Sequence, residues 1–497
     1  MKFRLAIFIV IIFAIAGCSH IGLTPSFDLD NAGKTELLYN KFFKGESPNI
    51  AQLNLFFSKM PKGGDLHHHY SGSIYAETYL DWADAANCWI DKNTLLISDV
   101  KNPNCDFTDP KCCCISVKQL RSKEGKELYR KLLTLWSDKD YQNHYHQQLP
   151  PDTNFFNTFG YFGPIFKNYK GSYSEGLIIL RERAIKENVS YIETMISPVG
   201  YSYQDKSFDE SIRKTTSNEA ISSLLDELSS KINADDEFIK KIDGFIKRIE
   251  NNHNGVDTDQ FMIRYQTYAS RNSSPSSVFS SLYSAFKAVE KSNLLVGVNF
   301  VGEENGVVAI ADYNLHMQMF AYLKKKFPGV NIALHAGELT LGMVPPENLK
   351  FHIYQAINIA GAQRIGHGVD LPYEEEAIEL LKQIKEKAAV EINFTSNEFI
   401  LGIKGREHPY LIYHAYDVPL VICTDDSGVS RNNLSGEYVL LATRYKPSYK
   451  TVKKYVYNGI KYSFLPDSDK KILTNSLDVR FEKFEADMAK YSALILK

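Results

Sequence analysis

Short apolar runs alternate with helical stretches along most of this chain, and that alternation limits the fold more than any other feature. Eight runs read as strands: "GDLHHH", "VSYIETMIS", "FMIRYQTYA", "LLVGVNFVG", "NIALHAGE", "RIGHG", "VEINFTS" and "LVICTDD". Several are nearly continuous in apolar residues, as strands of a parallel sheet covered on both faces must be. Helical patterns such as "SSVFSSLYSAFKAVEKS" and "EEEAIELLKQIKEKA" separate most of them. Eight strand–helix units predict an α/β chain folded as a (β/α)8 barrel of the TIM type. A length of 497 residues would also allow two or three domains, but barrels often run this long as one.

Two connections exceed what a barrel needs, at about 74–188 and at 201–259. The second reads as an inserted pair of charged helices. Residues 34–58 carry helical apolar spacing through Leu37, Leu38 and Phe42, then Leu53, Phe56 and Phe57, and predict an N-terminal helix after a tether. Residues 434–497 read as closing helices, so the barrel unit spans 59–497.

Polar residues gather where the apolar runs finish, and in a barrel those ends form the active-site face. His67 and His69 end the first run, His335 and Glu338 the fifth, His367 the sixth, Asp425 and Asp426 the eighth. In a strand, alternate side chains share a face, so His67 and His69 point together and His68 points away. Buried ionisable groups must be paired or bound to metal. Three imidazoles and a carboxylate with one open position suit zinc, which assigns His67, His69, His335 and Asp425 as ligands. A net charge of −2 gives no electrostatic argument for nucleic acid.

The N-terminus is a separate matter. Lys2 and Arg4 precede the run "LAIFIVIIFAIAG", which is short for a membrane span and fits a secretory signal over residues 1–17. It ends in "AGCS", which resembles a bacterial lipoprotein signal. That resemblance implies cleavage before Cys18, lipidation of Cys18, and a chain held to a bacterial membrane outside the cytoplasm. A secreted soluble protein or an N-terminal anchor helix are the alternatives. Cys88, Cys105, Cys112, Cys113 and Cys114 cluster in one stretch, which in an oxidising compartment predicts one or two loop-stapling disulfides. Cys423, inside an apolar run, reads as a small buried side chain.

Taken in order, "MPKGGDLHHH", "VGEENG", "LHAGE", "RIGHGVDL", "VEINFTSNEFILG" and "ICTDDSG" resemble the adenosine deaminase family. "MPKGG" and the placement of the insertions are most similar to its secreted growth-factor branch. The resemblance implies a barrel of the metal-dependent hydrolase kind, one zinc per chain, and a small purine nucleoside as partner. It implies hydrolysis of adenosine and 2′-deoxyadenosine to inosine and deoxyinosine with release of ammonia. His67, His69, His335 and Asp425 match the family's zinc ligands. His367 matches the residue that orients and deprotonates the attacking water, and Glu338 the acid that protonates purine N1. Asp426 matches the carboxyl group on N7, and Gly302 the backbone N–H on N3.

The family also covers the base with an apolar helix after the first strand. "NFFNTFGYFGPIF" places Phe155, Phe159, Phe162 and Phe166 at helical spacing; a core stripe is the alternative. His69 and Ser71 complete the expected substrate wall. Where the family places an acid on the ribose 5′-hydroxyl, this chain has Tyr70 and Ser71. Deamination of adenine, AMP or a modified base on the same scaffold is a second reading, and a nucleoside-binding lipoprotein with weak catalysis a third.

Overall fold

The structure is a computed structural model that describes residues 29–45, 47–98, 113–138 and 150–495. Cys18, the leader before it, Cys105 and Cys112 lie outside the described residues. Eight parallel strands carry the architecture. β1 (Lys62–His69), β2 (Val189–Met195), β3 (Met262–Ser270) and β4 (Leu295–Val301) pair in that order. β5 (Ala333–Ala336), β6 (Arg364–His367), β7 (Ala389–Ile392) and β8 (Leu420–Ile422) form a second run. The runs meet at both edges through parallel bridges, His68 with Asp425 and Val298 with Ile332. At the first seam the Asp425 N–H donates to the His67 carbonyl at 2.9 Å, and the His69 N–H donates to the Asp425 carbonyl at 3.2 Å. The sheet therefore closes, and all eight expected strands take part. Some are shorter than their apolar runs. "VEINFTS" leaves the sheet after Ile392, and Phe394–Leu401 turns into a helix.

The first strand is anchored from below. Lys62 is fully buried, and its Nζ donates to the carbonyls of Phe57, Met60 and Glu187 at 2.6, 3.1 and 2.7 Å. Three carbonyl acceptors offset the cost of burying the ammonium. They tie the N-terminal segment and the crossover before β2 to the barrel floor. Gly63 and Gly64 then let the helix Tyr449–Lys461 lie directly on β1. A Cβ at either position would fall 2.1 Å from the Val456 carbonyl oxygen or 2.4 Å from that of Gly459.

Two expectations need correction. The N-terminal segment is two helices, Asn31–Lys41 and Ile50–Lys59, not one. Pro48 interrupts the run, and the Asn49 side chain caps the second helix by accepting the Gln52 N–H at 3.0 Å. The insertion at 201–259 is three helices, Lys206–Arg213, Asn218–Asn233 and Asp236–His253, not two. Asp205 and Ser217 cap the first two, so the short polar break between them starts a new helix. The insertion at 74–188 also holds a small antiparallel sheet of Trp89–Asp91, Ile97–Ser98 and Cys114–Ser116, which periodicity in so short a stretch does not reveal. Cys113 and Cys114 are not bridged to each other; their sulfurs stand 3.3 Å apart. Cys423 is fully buried, as expected. Among the described residues no helix is long and apolar enough to cross a membrane.

Candidate active site

The pairing register of β1 against β2 shifts between Asp65 and His68. Past this irregularity His67 and His69 face the barrel axis. His68 faces outward, where its Nδ1 meets the Thr194 hydroxyl at 2.9 Å. Inside, His69 Nε2 lies 3.1 Å from His335 Nε2 and 3.2 Å from Asp425 Oδ1, and His67 Nε2 lies 3.5 Å from the same oxygen. Ligand atoms about 2.0–2.2 Å from a tetrahedral zinc stand about 3.3–3.6 Å apart; one of these separations lies within that range and two lie just inside it, close enough to converge on one ion. A second observation agrees. His67 Nε2 is buried with no hydrogen-bond partner, and such an atom calls for one.

The other ring nitrogens explain why these imidazoles present Nε2. His67 Nδ1 donates to Glu391 Oε2 at 2.8 Å. Glu391 Oε1 accepts from Arg364 Nε at 2.5 Å, and Arg364 Nη2 reaches Glu193 Oε1 at 2.5 Å. Gln266 Nε2 donates to Glu193 Oε1 at 2.9 Å, and Asn299 Nδ2 donates to Gln266 Oε1 at 2.8 Å. Asn299 Oδ1 accepts from His335 Nδ1 at 2.9 Å. A buried polar chain thus runs from one ligand imidazole under the site to another. It fixes the tautomer of both, as partners behind metal-binding histidines do. Burial alone would raise the Glu391 carboxyl. The Arg364 guanidinium and the His67 hydrogen bond outweigh it and hold Glu391 below its usual range.

Glu338 and His367 stand beside this cluster, with His367 Nε2 3.6 Å from Glu338 Oε1 and 3.8 Å from Asp425 Oδ2. His367 and Asp425 adopt left-handed backbone, at φ 69° and 61°. Strained conformations of this kind persist where surroundings over-determine them. The Asn397 amide backs His367 Nδ1 at 2.9 Å. Glu304 fixes the loop bearing Glu338, because its two oxygens accept the N–H groups of Gly337 and Glu338 at 3.0 and 2.9 Å. Burial, reinforced by the charges of Asp425 and Glu304, pushes the Glu338 carboxyl well above the usual carboxylate range. Burial and Asp425 do the same to Asp426. Both are therefore set to donate a proton rather than only accept one.

These groups open into a cavity of about 610 Å³. Its wall includes His69, Ser71, Phe155, Phe159, Gly302, His335, Glu338, His367, Asp425 and Asp426, so the expected site residues converge; His67 lies beneath. The Phe-rich helix, Pro151–Phe162, has one face on the cavity and another on the core. Phe155 and Phe159 face the cavity, while Phe162 stacks on Tyr79 at 4.4 Å between centroids. Tyr70 turns away from the cavity and stacks on Tyr173, leaving Ser71 alone at the wall. Phe156, Tyr268, Ser270, Asn272 and Glu303 also line it and were not expected. No lysine or arginine is among the described residues that line it.

Comparison with known proteins agrees with this geometry. The sequence model of the adenosine deaminase family, "Adenosine deaminase", matches residues 180–480. The adenosine deaminase of Clostridium kluyveri is 33% identical over 192 residues, 36% of this chain and 51% of that protein. That of Vibrio cholerae is 28% identical over 186 residues, 37% of this chain and 51% of that protein. The matched region thus spans about half the length of these curated relatives. Among solved structures, the N6-methyl-AMP deaminase of Arabidopsis thaliana superposes with a TM-score of 0.55 at 18% identity, over 86% of this chain and 98% of its own. The adenine deaminase of Arthrobacter aurescens gives 0.53 at 14% identity, over 84% and 98%. At such identities the structures speak for the fold alone. The family match begins after β1, and the fold brings His67 and His69 to the residues inside it. On the match over residues 180–480, this chain belongs to the adenosine deaminase family.

Proposed function

We propose that this protein is a zinc-dependent hydrolase that converts adenosine and 2′-deoxyadenosine to inosine and deoxyinosine with release of ammonia. One observation carries the reading. His67, His69, His335 and Asp425 bring four ligand atoms together next to a second group, Glu338, His367 and Asp425, in one cavity.

A zinc ion on the first group supplies Lewis acidity that makes water nucleophilic near neutral pH. The remaining work falls to the chain. His367 orients the attacking water and takes its proton at Nε2. Glu338, kept protonated by burial and its anionic neighbours, donates to purine N1, which makes C6 electrophilic. The C6–O bond forms, the amino group takes the proton held by His367, the C6–N bond breaks with loss of ammonia, and the C6 hydroxyl returns a proton to Glu338, leaving the 6-oxo product and both residues as they began. Purine N7 is an acceptor, so its partner must be a donor, which the raised carboxyl of Asp426 allows. The Gly302 N–H serves N3, while Phe155 and Phe159 cover the base and exclude water.

The test is a substrate panel on the full chain with zinc, following the absorbance change from adenine-type to hypoxanthine-type base. Adenosine turnover is the expected result; a zinc-loaded, folded chain inert toward adenosine overturns the reading. We further propose that the chain belongs to the secreted branch, as "MPKGG" suggests, and is lipid-anchored through Cys18 outside the cytoplasm, as "AGCS" suggests. Cys18→Ala should then move the protein from the membrane fraction to the soluble one, and unchanged partitioning refutes the anchor.

A further inference from the structure

The adenine ring leaves one part of the cavity unexplained. With N3 on the Gly302 N–H, as proposed above, the ring's next substituent is fixed. N3 and N9 are both bonded to C4, so the sugar on N9 leaves the base beside Gly302. The following residue is Glu303, its Cα about 3.8 Å further on. Glu303 lines the cavity, and its backbone is held in place. Its carbonyl accepts from Asn272 Nδ2 at 2.9 Å and from the Gly306 N–H at 3.2 Å. Asn272 Oδ1 accepts the Ala309 N–H at 3.1 Å, so one amide side chain clamps the whole turn. The turn is also filled, since a Cβ on Gly306 would fall 2.3 Å from Asn272 Oδ1.

The rest of the wall sharpens the point. Ser71 stands where an acid would face the sugar, and it carries no charge. Glu338, Asp425 and Asp426 are committed to the metal and the base. Glu303 is thus the remaining acid on the wall, and no lysine or arginine accompanies it among the described residues. A carboxylate accepts hydrogen bonds and cannot donate them, and its two oxygens suit a pair of hydroxyls. A phosphorylated sugar would instead set like charges together with no cation between them.

Resting on the deaminase reading above, we propose that Glu303 is the sugar-side specificity residue: its carboxylate accepts a hydrogen bond from a sugar hydroxyl and disfavours a phosphorylated sugar. It takes over the role left vacant at Ser71.

The experiment compares the zinc-loaded full chain with its Glu303→Gln and Glu303→Arg variants. Two readouts are used: kinetics with adenosine and AMP, and calorimetric binding of inosine and hypoxanthine. Glu303→Gln should raise KM for adenosine about tenfold while kcat falls less than twofold, the pattern of binding lost equally from ground and transition states. It should weaken inosine by the same factor and leave hypoxanthine, which has no sugar, unchanged. Glu303→Arg should raise the AMP-to-adenosine ratio of kcat/KM at least tenfold. Unchanged inosine affinity in Glu303→Gln overturns the proposal, as does a wild type that prefers AMP. Equal weakening of inosine and hypoxanthine overturns it too, since that would be a general defect of the pocket. If the wild type fails to turn over adenosine, the deaminase reading fails, and the inosine–hypoxanthine comparison still decides the role of Glu303.

Discussion

Replacing Glu391 by glutamine should loosen the metal without touching a ligand. The wild-type carboxylate serves two donors at once, His67 Nδ1 at 2.8 Å and Arg364 Nε at 2.5 Å. Glutamine has one oxygen for them, and its NH2 must face the other donor. Arg364 is fully buried and permanently charged, so the oxygen turns to the guanidinium. His67 Nδ1 then meets an N–H and can only accept from it. The imidazole proton moves to Nε2, the atom that should hold the metal. Loss of such a partner behind a ligating histidine costs about 10–100-fold in metal affinity, or about 1.4–2.7 kcal/mol. Glu193 still pairs Arg364, so the fold should survive with a lowered melting temperature. The assay is zinc competition against a chelator of known affinity, with melting of the metal-free proteins as the folding control. A zinc Kd within twofold of wild type in a folded Glu391→Gln protein would show that the partner behind His67 does not matter.

Glu338→Gln should keep zinc and lose about 10²–10⁴ in kcat, the usual cost of a positioned acid; near-wild-type turnover in a stopped assay would remove the N1 role. The pH dependence has a definite sign. The Glu338 carboxyl is raised, so the competent protonated form is present below that raised value and lost as pH climbs through it. The profile of kcat should therefore fall on its alkaline side. Gly72→Ala would place a Cβ 1.4 Å from Asp426 Oδ1. It should cut kcat/KM at least tenfold at unchanged zinc content, which metal analysis beside kinetics can check.

The barrel was legible because each strand announces itself. A run such as "LLVGVNFVG" is too short and too continuous for an amphipathic helix and is bounded by turn residues. The candidate ligands were legible because polar residues at the ends of such runs have no structural reason to gather. What lay hidden was the support. Glu193, Gln266, Asn299, Arg364 and Glu391 sit inside the strands, where the apolar pattern swallows one polar residue at a time. A signal was present: a charged or amide residue in a strand buried on both faces needs a partner, and these residues fall on five different strands. Nothing local says that these five meet, because their pairing depends on strand order around the closed barrel. The outer wall was hidden for another reason. Tyr268 ends a strand and Glu303 opens a loop, and such residues are usually solvated.

Buried charge ties the candidate donor set to the two carboxyls beside it. Glu193, Glu391 and Asp425 are buried together with one guanidinium, that of Arg364. Carboxylates outnumber fixed cations in a place where unpaired charge is costly, and against its burial Asp425 and Glu391 draw the His67 imidazole up to about 10. The imidazoles of His67 and His69 beside it hold Asp425 well below the usual range despite its burial, so it does not escape by taking a proton. Glu338 and Asp426 respond to the same field in the opposite way and become acids. A cation held at the imidazoles would take the place of that proton on His67 and pair the same carboxylates. The same buried carboxylates thus favour a cation at the imidazoles and a proton on the carboxyls of Glu338 and Asp426.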